Sequence, residues 1–293
     1  MQWQTLDSTP FLLPLYWRAA LKRKISGSTL PDGGLRCHVR VNPEHVAAYR
    51  KVCGFADSPV LPGTYPHILA FGLQMQLLTD KHFPFPLLGL IHLSNRIRIH
   101  RPLGGVNNLI VGVYAHNLQP HAKGATFDIV TKVEDALGLL WEADSRMLCR
   151  GVKLDGEAQE APLSICGTVS EVARWKAPAD IGRHYARVSG DYNPIHLSAL
   201  TAKLFGFPQA IAHGLWNTAR TLAALNEHLP AANVEIEVEF KKPVRLPSEV
   251  ILLSSAAGSS GELQLKGTGD IQHMLGKWRP IAGNMHINCI YTP

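Results

Sequence analysis

The clearest periodic pattern lies in the second half of the chain. Residues 234–240 (VEIEVEF) alternate apolar and acidic side chains, and this period of two predicts a strand with one buried face. Before this strand, residues 214–228 carry apolar side chains at helical spacing, and Pro230 follows the end of the stretch. Further strands are predicted at residues 250–254, 262–267 and 284–291. The pattern predicts one long helix followed by an antiparallel meander.

The first half has the same order of elements. An apolar stretch at residues 66–78 predicts a helix, and strands are predicted at residues 109–115, 126–133 and 138–147. A helix that packs on a curved antiparallel sheet in each half is an α+β arrangement.

A degenerate internal repeat relates the two halves. Three landmarks recur in the same order: a tyrosine, a glycine before the helix, and a proline after a strand. The matched pairs are Tyr49 with Tyr185, Gly63 with Gly214, and Pro102 with Pro243. Residues 151–162 are polar and contain a proline, as exposed connections do. We therefore expect a degenerate first half at residues 1–155 and a second half at residues 156–293.

Charge and cysteine content narrow the classes of function. The net charge of +6 favours anionic ligands, but the basic residues are scattered and form no nucleic-acid-binding pattern. The five cysteines are odd in number and form no CxxC pair, and the histidines lack the spacing of metal ligands. We expect no metal site and a reducing compartment, with the cytoplasm as the default location.

The N-terminal region contains one apolar run at residues 11–17, followed by four basic residues. The run is too short to span a bilayer, which takes ~20 apolar residues, and a secretory signal would place the positive charge first. It either rests on a membrane surface as a short amphipathic helix or, as we favour, packs against the body of the protein.

The candidate chemistry begins at residues 191–196 (DYNPIH). Asn193 followed by Pro194 is a good helix start, which places Asp191 in the preceding turn and His196 in the first helical turn. We expect this helix to continue to Phe205. A carboxylate beside an imidazole is a plausible acid–base pair.

A second element is the sequence IAHGL at residues 211–215. If the long helix begins at Gly214, its first N–H groups have no partner within the helix, and they can bind a developing oxyanion. His213 is then either a ligand to the substrate or a helix-cap residue, and we favour the cap.

Residues 189–196 (SGDYNPIH), 205–207 (FGF) and 211–215 (IAHGL) together resemble the signature of MaoC-like dehydratases, the (R)-specific enoyl-CoA hydratases. The resemblance implies a double hot-dog fold and reversible interconversion of an (R)-3-hydroxyacyl thioester and a trans-2-enoyl thioester plus water. It implies catalytic roles for Asp191, Asn193 and His196, and an oxyanion role for the N–H of Gly214. It implies no metal or redox cofactor.

The resemblance also directs the remaining expectations. The acyl carrier is coenzyme A or acyl carrier protein, and the chain is a monomeric pseudo-dimer or a homodimer without an integral membrane segment. The candidate substrate-binding residues are Ser189, His213, Lys241 and Lys242. The two lysines either contact phosphate groups of the carrier or, as we favour, belong to a solvated strand face.

The sequence departs from the family pattern at two positions, and two alternative functions stay open. Ser198 stands where many members carry an acidic residue, and Phe55 occupies the place of Asp191 in the first half, which we expect to be non-catalytic. The alternatives are a hot-dog acyl thioesterase and a non-catalytic subunit that binds acyl thioesters.

Overall fold

The computed structural model describes residues 2–158 and 162–282, which form one sheet and seven α-helices. The strands are β1 (Gln2–Leu6), β2 (Gly33–Arg40), β3 (Ile91–Ile99), β4 (Asn108–His121), β5 (Gly124–Asp135), β6 (Gly138–Arg150), β7 (Ser170–Ala177), β8 (Val234–Phe240), β9 (Ser248–Ser254), β10 (Gly261–Gly267) and β11 (Gln272–Pro280). The helices are α1 (Leu12–Leu21), α2 (Pro43–Cys53), α3 (Tyr65–Thr79), α4 (Ile181–Ser189), α5 (Pro194–Leu197), α6 (Ala199–Lys203) and α7 (Gly214–Ala224).

The eleven strands follow the order β1-β2-β4-β5-β6-β3-β8-β11-β10-β9-β7, so the strands of each half are neighbours. Pairing is antiparallel throughout, except that β1 pairs parallel with β2. The parallel pair was not predicted, and it is possible because α1 carries the chain across between the two strands.

Each half packs a helix on its part of the sheet. Helix α3 is apolar on almost every side and lies against β2, β4 and β5. Helix α7 is its counterpart, and the Thr218 hydroxyl on α7 donates to the sulfur of Met274 on β11 at 3.6 Å. The α+β arrangement is confirmed, whereas the division at residue 155 stays a prediction.

The two halves meet at the β3–β8 pair, in an arrangement that is close to two-fold symmetric. The repeat aligns Ile97 with Val238 and therefore Arg96 with Glu237. In the β3–β8 register, Ile97 pairs with Ile236, whereas Arg96 pairs with Glu237, its own repeat equivalent. The local two-fold axis therefore passes through the Arg96–Glu237 pair, whose Nη2 and Oε1 atoms are 2.8 Å apart. In a homodimer of identical halves this position would face its own copy, so the opposite charges belong to fused, diverged halves.

Helices α2 and α4 pack beside the same axis. Their landmark tyrosines, Tyr49 and Tyr185, are both buried and in ring contact, with centroids 6.3 Å apart. Both helices end at a glycine with positive φ: 76° at Gly54 and 78° at Gly190. The weak sequence repeat thus corresponds to a structural repeat.

Several predicted bounds were inaccurate. Helix α7 ends at Ala224 rather than at residue 228, and the helix expected to reach Phe205 breaks in two at Ser198. Ser198 is extended, and its hydroxyl accepts a hydrogen bond from the N–H of Thr201 at 3.1 Å, so it caps α6. The strand predicted at 284–291 lies outside the described residues.

The N-terminal apolar run forms α1, whose Leu15 and Ala19 are buried against the body of the protein, in contact with α3. Among the described residues, no helix is long and apolar enough to cross a membrane.

Candidate active site

A chain of short-range hydrogen bonds shapes the turn between α4 and α5. The Ser189 hydroxyl accepts from the N–H of Asp191 at 3.1 Å, and Asp191 Oδ1 accepts from the N–H of Asn193 at 3.1 Å. Asn193 Oδ1 in turn accepts from the N–H of Ile195 at 3.4 Å, which caps α5 as predicted. Since Ser189 is buried, its hydroxyl supports the Asp191 turn instead of facing an open surface.

The His196 ring is fixed by a contact that local sequence does not show. Its Nδ1 lies 2.7 Å from the carbonyl oxygen of Ile211, which can only accept, so Nδ1 carries the proton. Nε2 is then an unprotonated acceptor. Burial and the neighbouring His213 lower the pKa of His196 to about 3, so the ring is neutral at pH 7.

His213 stacks on His196, with ring centroids 3.7 Å apart and planes 27° apart. It occupies the N-cap position of α7, as predicted, but its side chain forms no cap hydrogen bond. Its Nε2–H donates instead to the carbonyl oxygen of Asp191 at 3.0 Å. Burial lowers its pKa to about 4, so this neutral tautomer persists at pH 7.

The Asp191 carboxyl group is only partly enclosed, with about a third of the side chain (33%) exposed. Burial raises its pKa, and the nearby His196 acts in the opposite direction. One nitrogen or oxygen from each of Asp191, His196 and His213 lies within 4.8 Å of the others. This separation suits two hydrogen bonds to one bridging water molecule.

The same three residues are also a possible set of metal ligands, so their geometry is compared with what a bound cation requires. A bound cation requires in-plane lone pairs that converge on one point at ~2 Å from each donor. The rings of His196 and His213 are stacked, so their in-plane lone pairs lie in nearly parallel planes and do not readily converge on one point. The arrangement therefore fits a hydrogen-bonded pair better than a chelate, and the absence of a metal site stays a prediction.

Gly214 is the first residue of α7, as expected. The first N–H groups of a helix have no partner within it, and the helix dipole is positive there. A side chain at this position would place its Cβ 3.0 Å from the Phe240 ring, so the ring would have to shift to admit it.

The candidate lysines lie close to this helix start. The N–H of Ala212 donates to the carbonyl oxygen of Val244 at 2.8 Å, which joins the loop before α7 to the segment after β8. Lys241 Nζ is paired with Glu239 Oε1 at 2.5 Å, whereas Lys242 is exposed and forms no ion pair within the described residues. Lys242 is thus the better-placed candidate for an anionic ligand.

The basic residues of β3 and the following loop are not available for such a role. The arginines form ion pairs across the sheet or with the β5–β6 hairpin: Arg96 with Glu237, Arg98 with Glu235 and Asp144, and Arg101 with Asp135. His100 Nε2 lies 3.2 Å from Glu142 Oε1. The pairs with Glu235 and Glu237 join the two halves, whereas the contacts of His100 and Arg101 lie within the first half.

Sequence reasoning missed Tyr16 on α1. Its hydroxyl donates to the carbonyl oxygen of Gly190 at 2.6 Å and accepts from the N–H of Tyr192 at 2.7 Å, so it bridges the residues on either side of Asp191. Burial and the Asp191 charge raise its pKa, which keeps the hydroxyl protonated. No sequence signal links Tyr16 to a loop 174 residues away.

The equivalent region of the first half is filled by aromatic packing. Phe55 stacks on Tyr49 with ring centroids 6.4 Å apart, and the Gly63 carbonyl accepts from Trp141 Nε1 at 2.8 Å. An open cleft of about 380 Å³ in this half lies between β1, β2 and the end of α3, away from Asp191. That the first half is non-catalytic stays a prediction.

Comparison with known proteins places these features in a family. Residues 157–270 match the model of the MaoC like domain. The chain is 37% identical over 228 residues to 3-hydroxyacyl-thioester dehydratase X of Mycobacterium tuberculosis, an alignment that covers 77% of this chain and 81% of that protein. It is 28% identical over 191 residues to the peroxisomal enoyl-CoA hydratase 2 of Arabidopsis thaliana, which covers 57% and 58% of the two chains.

Solved structures agree. The crystal structure of HtdX of Mycobacterium tuberculosis superposes with a TM-score of 0.74 at 32% identity, covering 85% of this chain and all (100%) of that one. A second protein of that organism, described as a double hotdog fold, superposes with a TM-score of 0.53 at 13% identity, covering 82% and 92%, and supports the fold alone. The chain therefore has the double hot-dog fold and belongs to the MaoC-like dehydratase family.

Proposed function

We propose that the protein interconverts an (R)-3-hydroxyacyl thioester and the trans-2-enoyl thioester plus water, with Asp191 and His196 as the acid–base pair. Hydration and dehydration of acyl thioesters is the reaction named for its relatives. The observation that supports the residue assignment is the neutral His196, held by Ile211 with Nε2 free, beside a partly exposed Asp191 carboxyl group.

In the hydration direction, Asp191 and His196 Nε2 hold one water molecule between them. The water oxygen forms a bond to C3 of the enoyl group while one of its protons passes to the pair. The electrons of the C2–C3 double bond move onto the thioester oxygen, and C2 then takes a proton from the pair. Dehydration follows the same steps in reverse.

The N–H of Gly214 stabilises the enolate as negative charge develops on the thioester oxygen. Asn193 orients the site by capping α5, and Ser189 and His213 position the Asp191 turn through its N–H and carbonyl groups. Addition of water leaves the oxidation state of the substrate unchanged, so the proposed reaction requires no redox cofactor.

The acyl carrier is coenzyme A or acyl carrier protein, and both carry phosphate groups. Lys242 provides the exposed positive charge beside the helix start, and the ion pair of Lys241 makes it the weaker contact. We also propose a cytoplasmic location. One chain already contains two halves, so a monomeric pseudo-dimer suffices, and a homodimer is the alternative to test.

The reaction class is tested with purified protein and crotonyl-CoA. Loss of absorbance at the enoyl-thioester band, without release of free thiol, is the expected result, and the 3-hydroxybutyryl product should have the (R) configuration. Release of thiol would identify a thioesterase instead. No reaction with crotonyl groups on either carrier, or with a series of longer acyl chains, would favour a non-catalytic binding subunit.

A further inference from the structure

The outer face of α1 is an exposed apolar stripe. Phe11, Leu13, Trp17 and Leu21 have exposed fractions of 86%, 72%, 67% and 81%. Leu13, Trp17 and Leu21 are spaced four residues apart, so they follow one another along one side of the helix. Single exposed apolar residues are ordinary, but a contiguous stripe of this size is typical of a docking surface.

The inner face of α1 is firmly seated, so the exposed stripe is a fixed feature of the fold. Leu15 and Ala19 are buried, and Tyr16 bonds to the backbone on both sides of Asp191. At the end of the helix, Lys22 Nζ donates to the carbonyl oxygen of Asp80 at 2.8 Å and lies 5.6 Å from the centre of the Phe83 ring.

The charge around the stripe identifies the kind of surface that it fits. Residues 8–31 contain four basic residues and no acidic one. Arg18 and Lys24 are exposed, and neither forms an ion pair within the described ranges. A helix with a Leu/Trp face and basic flanks lies in the interface of an anionic lipid bilayer, where apolar burial and charge attraction act together.

We propose that the outer face of α1, with Leu13, Trp17 and Leu21 at its centre, docks the protein on the surface of an anionic lipid membrane. The helix lies in the interface and does not cross the bilayer. Because Tyr16, which lies next to Trp17 on the flank of the helix, contacts the Asp191 loop, docking places the active site near the lipid surface. An enzyme that acts on long acyl thioesters benefits from this position, since such chains partition into membranes.

The test is co-sedimentation with vesicles of phosphatidylglycerol and phosphatidylcholine, compared with vesicles of phosphatidylcholine alone. The wild-type protein is expected to sediment with the anionic vesicles and to be released by high salt. The double substitution Leu13→Asp and Trp17→Asp should lower the partition coefficient by roughly a hundredfold, since each removes one large side chain from the interface.

The chain offers a matched control in Leu137, which is 83% exposed in the β5–β6 turn. Leu137→Asp should bind vesicles like the wild type. Both variants should keep the wild-type rate with the water-soluble substrate crotonyl-CoA, which shows that they are folded and separates this proposal from the proposed reaction.

Two results would overturn the proposal. One is a wild-type protein that stays in the supernatant with both kinds of vesicle. The other is a dimer, seen by sedimentation velocity without lipid, that does not bind vesicles and that the double substitution dissociates. The stripe would then pack against a second copy of the chain.

Discussion

The bond network of Tyr16 allows a sharp test of how the Asp191 loop is held. Tyr16→Phe keeps the ring on α1 and removes the hydroxyl, so the carbonyl of Gly190 and the N–H of Tyr192 both lose a partner. At about 1 kcal/mol for each hydrogen bond, the free energy of unfolding should fall by about 2 kcal/mol. Since small displacements of catalytic groups are costly, we expect kcat with crotonyl-CoA to fall by roughly tenfold.

Tyr192→Phe is the matched control. It makes the same chemical change on the same loop, and within the described residues the Tyr192 hydroxyl has no hydrogen-bond partner, while its backbone N–H is unaffected. Urea unfolding gives the stability of each variant, and steady-state kinetics give kcat and KM. Tyr16→Phe should lower kcat far more than it changes KM. If both variants kept the kcat and unfolding midpoint of the wild type, Tyr16 would have no positioning role.

Three further predictions address the junction, the helix contact and the ionisable groups. Arg96→Glu and Glu237→Arg should each lower the free energy of unfolding, measured by urea titration, by about 1–2 kcal/mol. The variant with both substitutions restores opposite charges and should recover most of the loss. No recovery would refute the pairing. Gly190→Ala should lower the free energy of unfolding by ~1 kcal/mol or more beyond the loss caused by Gly206→Ala. Both glycines have positive φ, but only a Cβ at position 190 meets another side chain, Leu12, at 2.6 Å. Equal losses of stability in the two variants would contradict that contact. The pH profile of kcat/KM should show no ionisation near the ordinary histidine pKa of ~6.5. Activity should instead fall in acid as Asp191 is protonated, at a pH above 3.8. A fall in activity near pH 6.5 that His196→Gln removes would show that the His196 ring is not neutral as described.

The same pKa values predict how stability depends on pH. Unfolded histidines gain protons below ~6.5, whereas His196 and His213 resist protonation until pH about 3 and about 4. Between these limits the unfolded state binds more protons, so these residues make stability fall as the pH falls through that window. Asp191 acts in the opposite sense, because its raised pKa lets the folded state keep a proton above pH 3.8. The two histidines should dominate the pH dependence of stability, since both have strongly lowered pKa values.

The catalytic segment was predictable because its structure is local. An Asn-Pro helix start fixes Asn193 and His196 within one turn, and the turn residues bond to each other. Strand β8 was predicted with its exact bounds, since alternation along a half-buried strand is a strong signal.

Features that depend on distant contacts were not predictable. The carbonyl of Ile211 sets the tautomer of His196, and every residue type has such a carbonyl. The bond from Tyr16 to Gly190 joins segments that only the folded chain brings together. The helix break at Ser198 was not predicted, because it depends on the extended backbone of Ser198, which the residue types alone do not show.

The most direct test of the central claim is the kcat/KM of Asp191→Asn with crotonyl-CoA. Asparagine can still accept the hydrogen bond from the N–H of Asn193 and leaves the backbone carbonyl for His213, so the turn should persist. Asp180→Asn, at the half-exposed N-cap of α4, is the matched control and should match the wild type. The account predicts a loss of about 10²–10⁴-fold for Asp191→Asn with unchanged unfolding. Activity within a few-fold of the wild type would contradict the assignment of Asp191 to the acid–base pair.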